Sequence, residues 1–273
     1  MRAWVDGQLL DDAQQPALTV FDHGLTVGDG VFETVKVSDN RPFALTRHLD
    51  RLARSATGLG LAPPDGDELR DAVRAVLGGQ HLPLGRIRIT LTGGVSPLGS
   101  NRGDQGSTLV VVAGPMDTWP KSTAVETVPW PRNERGALTG LKTTSYAENV
   151  VALAYAAERG ASEAIFANTA GTLCEGTGSN IFYVLDGQLV TPTLASGCLA
   201  GVTRALVLEW CGGVERDAPI EVLDEAEEIL LASTTRDAQA VHRCGARELS
   251  APGPVTRDVM ASWTEHAAAD IDP

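Results

Sequence analysis

The sequence predicts a mixed α/β (α+β) fold in two domains. Three observations lead there. Short β-rich runs alternate with helix-period segments along the whole chain. Hydrophobic residues make up 43% and charged residues 21% of the 273 positions, a composition that supports a sizeable globular core. Near the middle, Gly114-Pro-Met-Asp-Thr-Trp-Pro120 breaks regular structure. The expected division is a small N-terminal α/β domain over 1–116, a loop and linker over 117–132, and a larger C-terminal domain over 133–273.

Taken in order, Val31–Val37 is β-branched and follows the turn signal Gly28-Asp-Gly30. Thr46 is placed to cap a helix to about Ala56, with Leu49, Leu52, Ala53 and Ala56 on one face. Asp65 or Asp67 opens a second helix toward Leu77. Arg86–Leu91 alternates as a half-buried strand does, and Thr108–Ala113 reads as a buried strand. A strand at Ala124–Val128 and a loop at Pro129–Gly136 follow. Ser145 and Glu148 have capping-box spacing, opening a helix that stops at Gly160. Ala164–Ala167 is a strand. Asp186-Gly187 turns a hairpin between Ile181–Leu185 and Gln188–Thr191. Gly201 opens a helix through Glu209, and Ile229–Ser233 is a strand. The tail beyond Pro252 carries no clear pattern.

The net charge of −13 argues against a nucleic-acid or anionic-membrane partner, both of which need a basic footprint. No run approaches the ~20 apolar residues of a membrane span. The four cysteines have neither disulfide-framework nor zinc spacing, so no metal is expected and a reduced, cytoplasmic protein is the default.

Lysine is scarce: Lys36, Lys121 and Lys142 are the three, and the other basic residues are arginines. Lys142 lies between a glycine-containing loop and the start of a helix, where the helix dipole disfavours a cation. An amine placed there is either a solvated side chain or a nucleophile with a lowered pKa. Glu175 enters the glycine-rich segment Glu175-Gly-Thr-Gly-Ser-Asn180, where a carboxylate can meet a protonated ring nitrogen or simply occupy a surface turn. Leu199-Ala-Gly-Val-Thr-Arg204 offers a helix start with free N–H groups and the Thr203 hydroxyl, suited to a phosphate. Ser233-Thr-Thr235 ends a strand in three hydroxyls, and Arg51 can add a fixed positive charge.

The order of Lys142, Glu175–Asn180, Leu199–Arg204 and Ser233–Thr235 resembles the fold-type IV, or class IV, enzymes that use pyridoxal 5′-phosphate (PLP). Gly28-Asp-Gly-Val-Phe-Glu33 and His48-Leu-Asp-Arg-Leu52 are similar too. The resemblance implies that Lys142 is the catalytic Schiff-base lysine. It implies Glu175 at the pyridine nitrogen, Tyr146 at the phenolic oxygen and Leu199 on the ring face. It also implies Arg51, Gly201, Val202, Thr203, Ser233 and Thr234 around the phosphate, with Ser179 and Asn180 completing the cofactor site. A homodimer is implied, with Asp22 to Leu25 near the neighbour's site.

The substrate side is open to several readings. Alternation puts Arg86, Arg88 and Thr90 on one strand face, and Phe32, Thr34 and Lys36 on another. With Thr235 these are the candidate substrate residues, and Arg88 is the candidate carboxylate grip. Val31–Val37 looks like the matching strand of D-amino-acid transaminases, yet Leu98 and Ser100 stand where an arginine and a histidine would be expected. The expected reaction is transamination between a D-amino acid or (R)-amine and a 2-oxo acid such as pyruvate or 2-oxoglutarate. Aminodeoxychorismate lyase and branched-chain L-amino-acid aminotransferase activities are the alternatives, and a non-enzymatic binding protein is a third.

Overall fold

A computed structural model describes residues 1–273 as two compact units. The first comprises Met1–Thr118, Leu141–Tyr146 and Ile271–Pro273; the second comprises Trp119–Gly140 and Ala147–Asp270. Leu141–Tyr146, which chain position alone would assign to the later domain, thus packs with the first unit.

The first unit is built on a six-stranded sheet. Its strands are β1 (Arg2–Val5), β2 (Gln8–Leu10), β3 (Gly30–Ser38), β4 (Arg41–Pro42), β5 (Leu84–Thr92) and β6 (Thr108–Pro115), in the order β2-β1-β6-β5-β3-β4. The helices are α1 (His23–Thr26), α2 (Leu45–Leu59) and α3 (Gly66–Leu77). Val31, Val35 and Val37 on one face of β3 meet Leu45, Leu49, Leu52 and Ala56 of α2 in a single core. A fully buried side chain such as Leu52 contributes about 1.5–3 kcal/mol by leaving water. Asp65 caps α3 as expected, accepting from the N–H groups of Asp67 and Glu68 at 2.9 Å. Thr46 does not cap α2. The cap position is Ala44, in the left-handed region with φ 52°, and Thr46 donates its hydroxyl to Asp272 at 2.5 Å.

The second unit holds a nine-stranded sheet. Its strands are β7 (Ser122–Thr127), β8 (Glu163–Ala167), β9 (Leu173–Gly176), β10 (Asn180–Leu185), β11 (Gln188–Thr191), β12 (Val214–Glu215), β13 (Glu228–Ser233), β14 (Asp237–Cys244) and β15 (Arg247–Glu248). The order is β12-β11-β10-β13-β14-β7-β8-β9, with β15 on β14. The helices are α4 (Ala147–Glu158), α5 (Val202–Cys211), α6 (Val222–Glu225) and α7 (Pro254–Ala269). The β10–β11 hairpin turns through Asp186 and Gly187, both at positive φ, the conformation this pair favours. The Ser145–Glu148 capping box does not form: the Ser145 hydroxyl donates to Gly28 O, and Glu148 pairs with Arg132. The tail is structured after all, since Pro254 starts the 16-residue α7 at the position where a missing N–H costs nothing. No helix is long and apolar enough to cross a membrane.

Candidate active site

Lys142 is held by β3 rather than by a helix cap. Phe32 N–H donates to Lys142 O at 2.9 Å, Lys142 N–H donates to Ser55 Oγ at 3.2 Å, and Thr144 N–H donates to Gly30 O at 2.8 Å. Nζ lies 4.4 Å from the Phe32 ring centroid and 6.0 Å from that of Tyr146, and the two rings meet edge-on at 5.2 Å. The Arg88 guanidinium stands 3.2 Å from the same Phe32 centroid, and Arg88 Nε donates to Thr90 Oγ1 at 3.3 Å. Desolvation and the neighbouring Arg86 charge, against the pull of Tyr146 and Glu33, lower the Arg88 pKa to about 10, so it stays charged at neutral pH.

The register of β3 against β5 sets Phe32 opposite Thr90, Thr34 opposite Arg88 and Lys36 opposite Arg86. Directly paired residues share a face, so the two expected stripes are one surface. On the other face, Glu33 is fully buried and meets α2. Its Oε1 and Oε2 accept from Arg51 Nε and Nη2, both at 2.7 Å, and Oε2 is 2.7 Å from His48 Nδ1. Burial pushes the Glu33 carboxyl up, but the Arg51 charge and hydrogen bonds, with His48, outweigh it and hold the pKa at about 2. Burial pushes His48 down against the raising effect of Glu33. Arg51 is therefore a structural partner of Glu33 as well as a candidate phosphate ligand.

In the second unit, Glu175 sits on β9 with its Oε2 accepting Leu199 N–H at 2.9 Å. Asn180 Nδ2 donates to Leu199 O at 2.8 Å, so one residue is held through both its N–H and its carbonyl. Gly201 caps α5 with no side-chain hydrogen bond, which leaves the first-turn N–H groups and the buried Thr203 to receive an anion. A β-carbon at Gly201 would run into Asn180 Oδ1, so only glycine fits this approach. Asn180 opposes Ala232 on β13, which brings the strand end Ser233–Thr235 to the same end of the sheet. Ser233 Oγ accepts from Arg236 N–H at 3.3 Å. The Ser179 hydroxyl, expected at the cofactor, donates to Glu163 Oε2 at 3.1 Å.

Four residues escaped the sequence reading. Arg132 Nε lies 3.4 Å from Glu175 Oε1, while its Nη1 donates to Glu148 and Asn149; nothing in its proline-flanked loop announces this. Glu33 and His48 do leave a signal. Glu33 falls among Val31, Val35 and Val37 on the apolar face of β3, and a carboxylate there requires a cation. His48 and Arg51 are three apart on the facing helix. Glu163 is the fourth.

The second unit fits PLP on its own geometry. A carboxylate suits a protonated ring nitrogen, and an uncapped helix start beside clustered hydroxyls suits a phosphate. Comparison with known proteins agrees. A family model, amino-transferase class IV, matches residues 30–244. A Methanocaldococcus jannaschii protein with a provisional branched-chain-amino-acid aminotransferase name is 31% identical, over 96% of this chain and 98% of that one. The D-alanine aminotransferase of Staphylococcus haemolyticus is 26% identical over 97% of each. Among solved structures, a branched-chain aminotransferase from Thermoproteus uzoniensis with norvaline superposes with a TM-score of 0.89 at 29% identity, covering 97% of this chain and 94% of that one. A hypothetical aminotransferase from Mycobacterium tuberculosis in its PLP-bound form gives 0.84 at 26% identity, covering 97% and 100%. The chain belongs to the class IV aminotransferases, enzymes of fold-type IV that work with PLP.

Proposed function

We propose that this aminotransferase moves an amino group between a D-amino acid or (R)-amine and a 2-oxo acid such as pyruvate or 2-oxoglutarate. The observation that carries a carboxylate-bearing substrate is the shared ring: Lys142 Nζ and the Arg88 guanidinium both lie over Phe32. An amine and a fixed, planar cation so close together suit a molecule whose reacting carbon bears a carboxylate. The relative named D-alanine aminotransferase supports the D-series.

Bound PLP would supply the electron sink that acidifies the substrate Cα–H. Lys142 Nζ removes that proton and returns it to complete the transfer. Glu175 would pair with the protonated ring nitrogen, with Arg132 beside the carboxylate. Arg51 in the first unit, and the N–H groups at Val202 and Thr203 with Thr234 in the second, would hold the phosphate, and Tyr146 and Leu199 would orient the ring. Arg88 grips the substrate carboxylate, Phe32, Thr34, Lys36 and Arg86 form the strand surface around it, and Thr235 is a further substrate contact. A homodimer belongs to this reading. Its support is a set of exposed apolar side chains: Val20 and Leu25 in the first unit, Val150 and Val151 in the second.

The branched-chain names of two matched proteins favour a second reading, an L-branched-chain aminotransferase. A donor panel of D- and L-amino acids and (R)-amines, with pyruvate and 2-oxoglutarate as acceptors, separates the two. Turnover with D-alanine above L-leucine is expected; the reverse order would refute the D-series reading.

A further inference from the structure

One buried carboxylate has no part in the chemistry above. Glu163 opens β8 with its side chain 3% exposed. A carboxylate so buried costs several kcal/mol unless its lone pairs are satisfied. Here its Oε1 accepts Thr177 N–H at 2.9 Å, Gly178 N–H at 3.3 Å and the Thr177 hydroxyl. Its Oε2 accepts the Ser179 hydroxyl at 3.1 Å and lies 3.7 Å from Arg236 Nη2. All four donors belong to the three-residue turn between β9 and β10. The fit is close: a β-carbon at Gly176 would come within 2.6 Å of Ser179 Oγ and 3.1 Å of Glu163 Cγ.

Asn180 directly follows that turn and Glu175 lies two residues before it, and these two hold the backbone of Leu199 ahead of α5. Arg236 leads the other way. Its Nη1 donates to Ser162 Oγ at 3.0 Å and Gln239 Oε1 at 2.7 Å, and its Nη2 to Ser162 O at 2.8 Å. Its backbone N–H reaches Ser233 Oγ, and its guanidinium lies 3.8 Å from the Trp119 ring centroid.

We propose that Glu163 and Arg236 form a buried brace between the Glu175–Asn180 turn and the Ser233–Thr235 strand end, and that this brace sets the affinity for the cofactor. Glu163 is a positioning residue: it holds the conformation of Thr177–Ser179, and through it the placement of Glu175 and the entrance to α5. Replacing the carboxylate by an amide sets an N–H₂ against donors, so the turn loses its fixed geometry. The inference rests on the reading that the second unit binds PLP.

The test titrates apoprotein with PLP, following cofactor absorbance, and records apoprotein melting in parallel. Wild type, Glu163→Gln, Ser179→Ala and the double variant are compared. Glu163→Gln is expected to raise the PLP dissociation constant by about tenfold or more, the usual cost of removing a supporting partner. Ser179→Ala raises it less, and the double variant adds nothing beyond Glu163→Gln, because both act through one turn. A lower melting temperature with an unchanged dissociation constant would make Glu163 a folding residue only and overturn the proposal. If Glu163→Gln does not fold, Ser179→Ala and Thr177→Val carry the same comparison. Wild-type protein that binds no PLP would sink the underlying reading and the brace with it, a result distinct from equal binding by wild type and variants.

Discussion

At the residue scale, the decisive placements are those of charges. Lys142 and Arg88 share the Phe32 ring, so the proposed carboxylate grip and the proposed proton-moving amine meet one aromatic side chain. Arg88→Ala is expected to raise KM for amino-acid donors by about 10–100-fold, the loss of a charge-assisted pair, and to leave simple (R)-amines nearly unaffected. Steady-state kinetics on both donor classes check this. Glu33 contributes to the acid-side pH dependence. Its folded pKa of about 2 lies below the ordinary 4.5, so its pairing with Arg51 stabilises the fold fully above pH 4.5. That contribution is lost as the pH falls from 4.5 toward 2. Glu33→Gln should cost roughly 3–5 kcal/mol at pH 7, because it leaves Arg51 buried beside a neutral amide. It should also flatten the fall in melting temperature across that acid range. A variant whose acid profile parallels the wild type would place the titration elsewhere.

At the scale of elements, alternation on β3 and β5 was readable, since Val31 and Glu33 take one face and Phe32 the other, as strand geometry demands. The facing register, which merges two stripes into one surface, was not, because pairing joins residues about fifty or more apart. The capping signals at Thr46 and Ser145 failed for a related reason. Both hydroxyls donate to acceptors far along the chain, Asp272 and Gly28, and Thr46 already lies inside α2, past the position from which a side chain could cap it. Gly201 was legible as a helix start, but its necessity shows only in the approach of Asn180. Gly201→Ala is therefore expected to weaken PLP binding by more than tenfold and also to lower apoprotein stability, since its β-carbon meets Asn180 and alanine is a poorer N-cap than glycine. Equilibrium titration and apoprotein melting measure the two.

For the whole molecule, the resemblance carried by a handful of motifs reached the family and the cofactor, since the chemistry needs those residue types and the fold strings them in that order. The supporting shell of Arg132, Glu163 and Arg236 stayed hidden, because its spacing follows the folded sheet and not the chain. Exposed Val150 and Val151 on α4 belong to the same scale. Light scattering should find a dimer, and Val150→Asp should shift it toward monomer. A wild-type monomer at micromolar concentration would contradict the dimeric reading. The central claim concerns one amine among three. Loading the protein with PLP, reducing it with borohydride and mapping peptides by mass spectrometry should place a phosphopyridoxyl group on Lys142 alone. The same group found on Lys36 or Lys121, with Lys142 unmodified, would contradict the account.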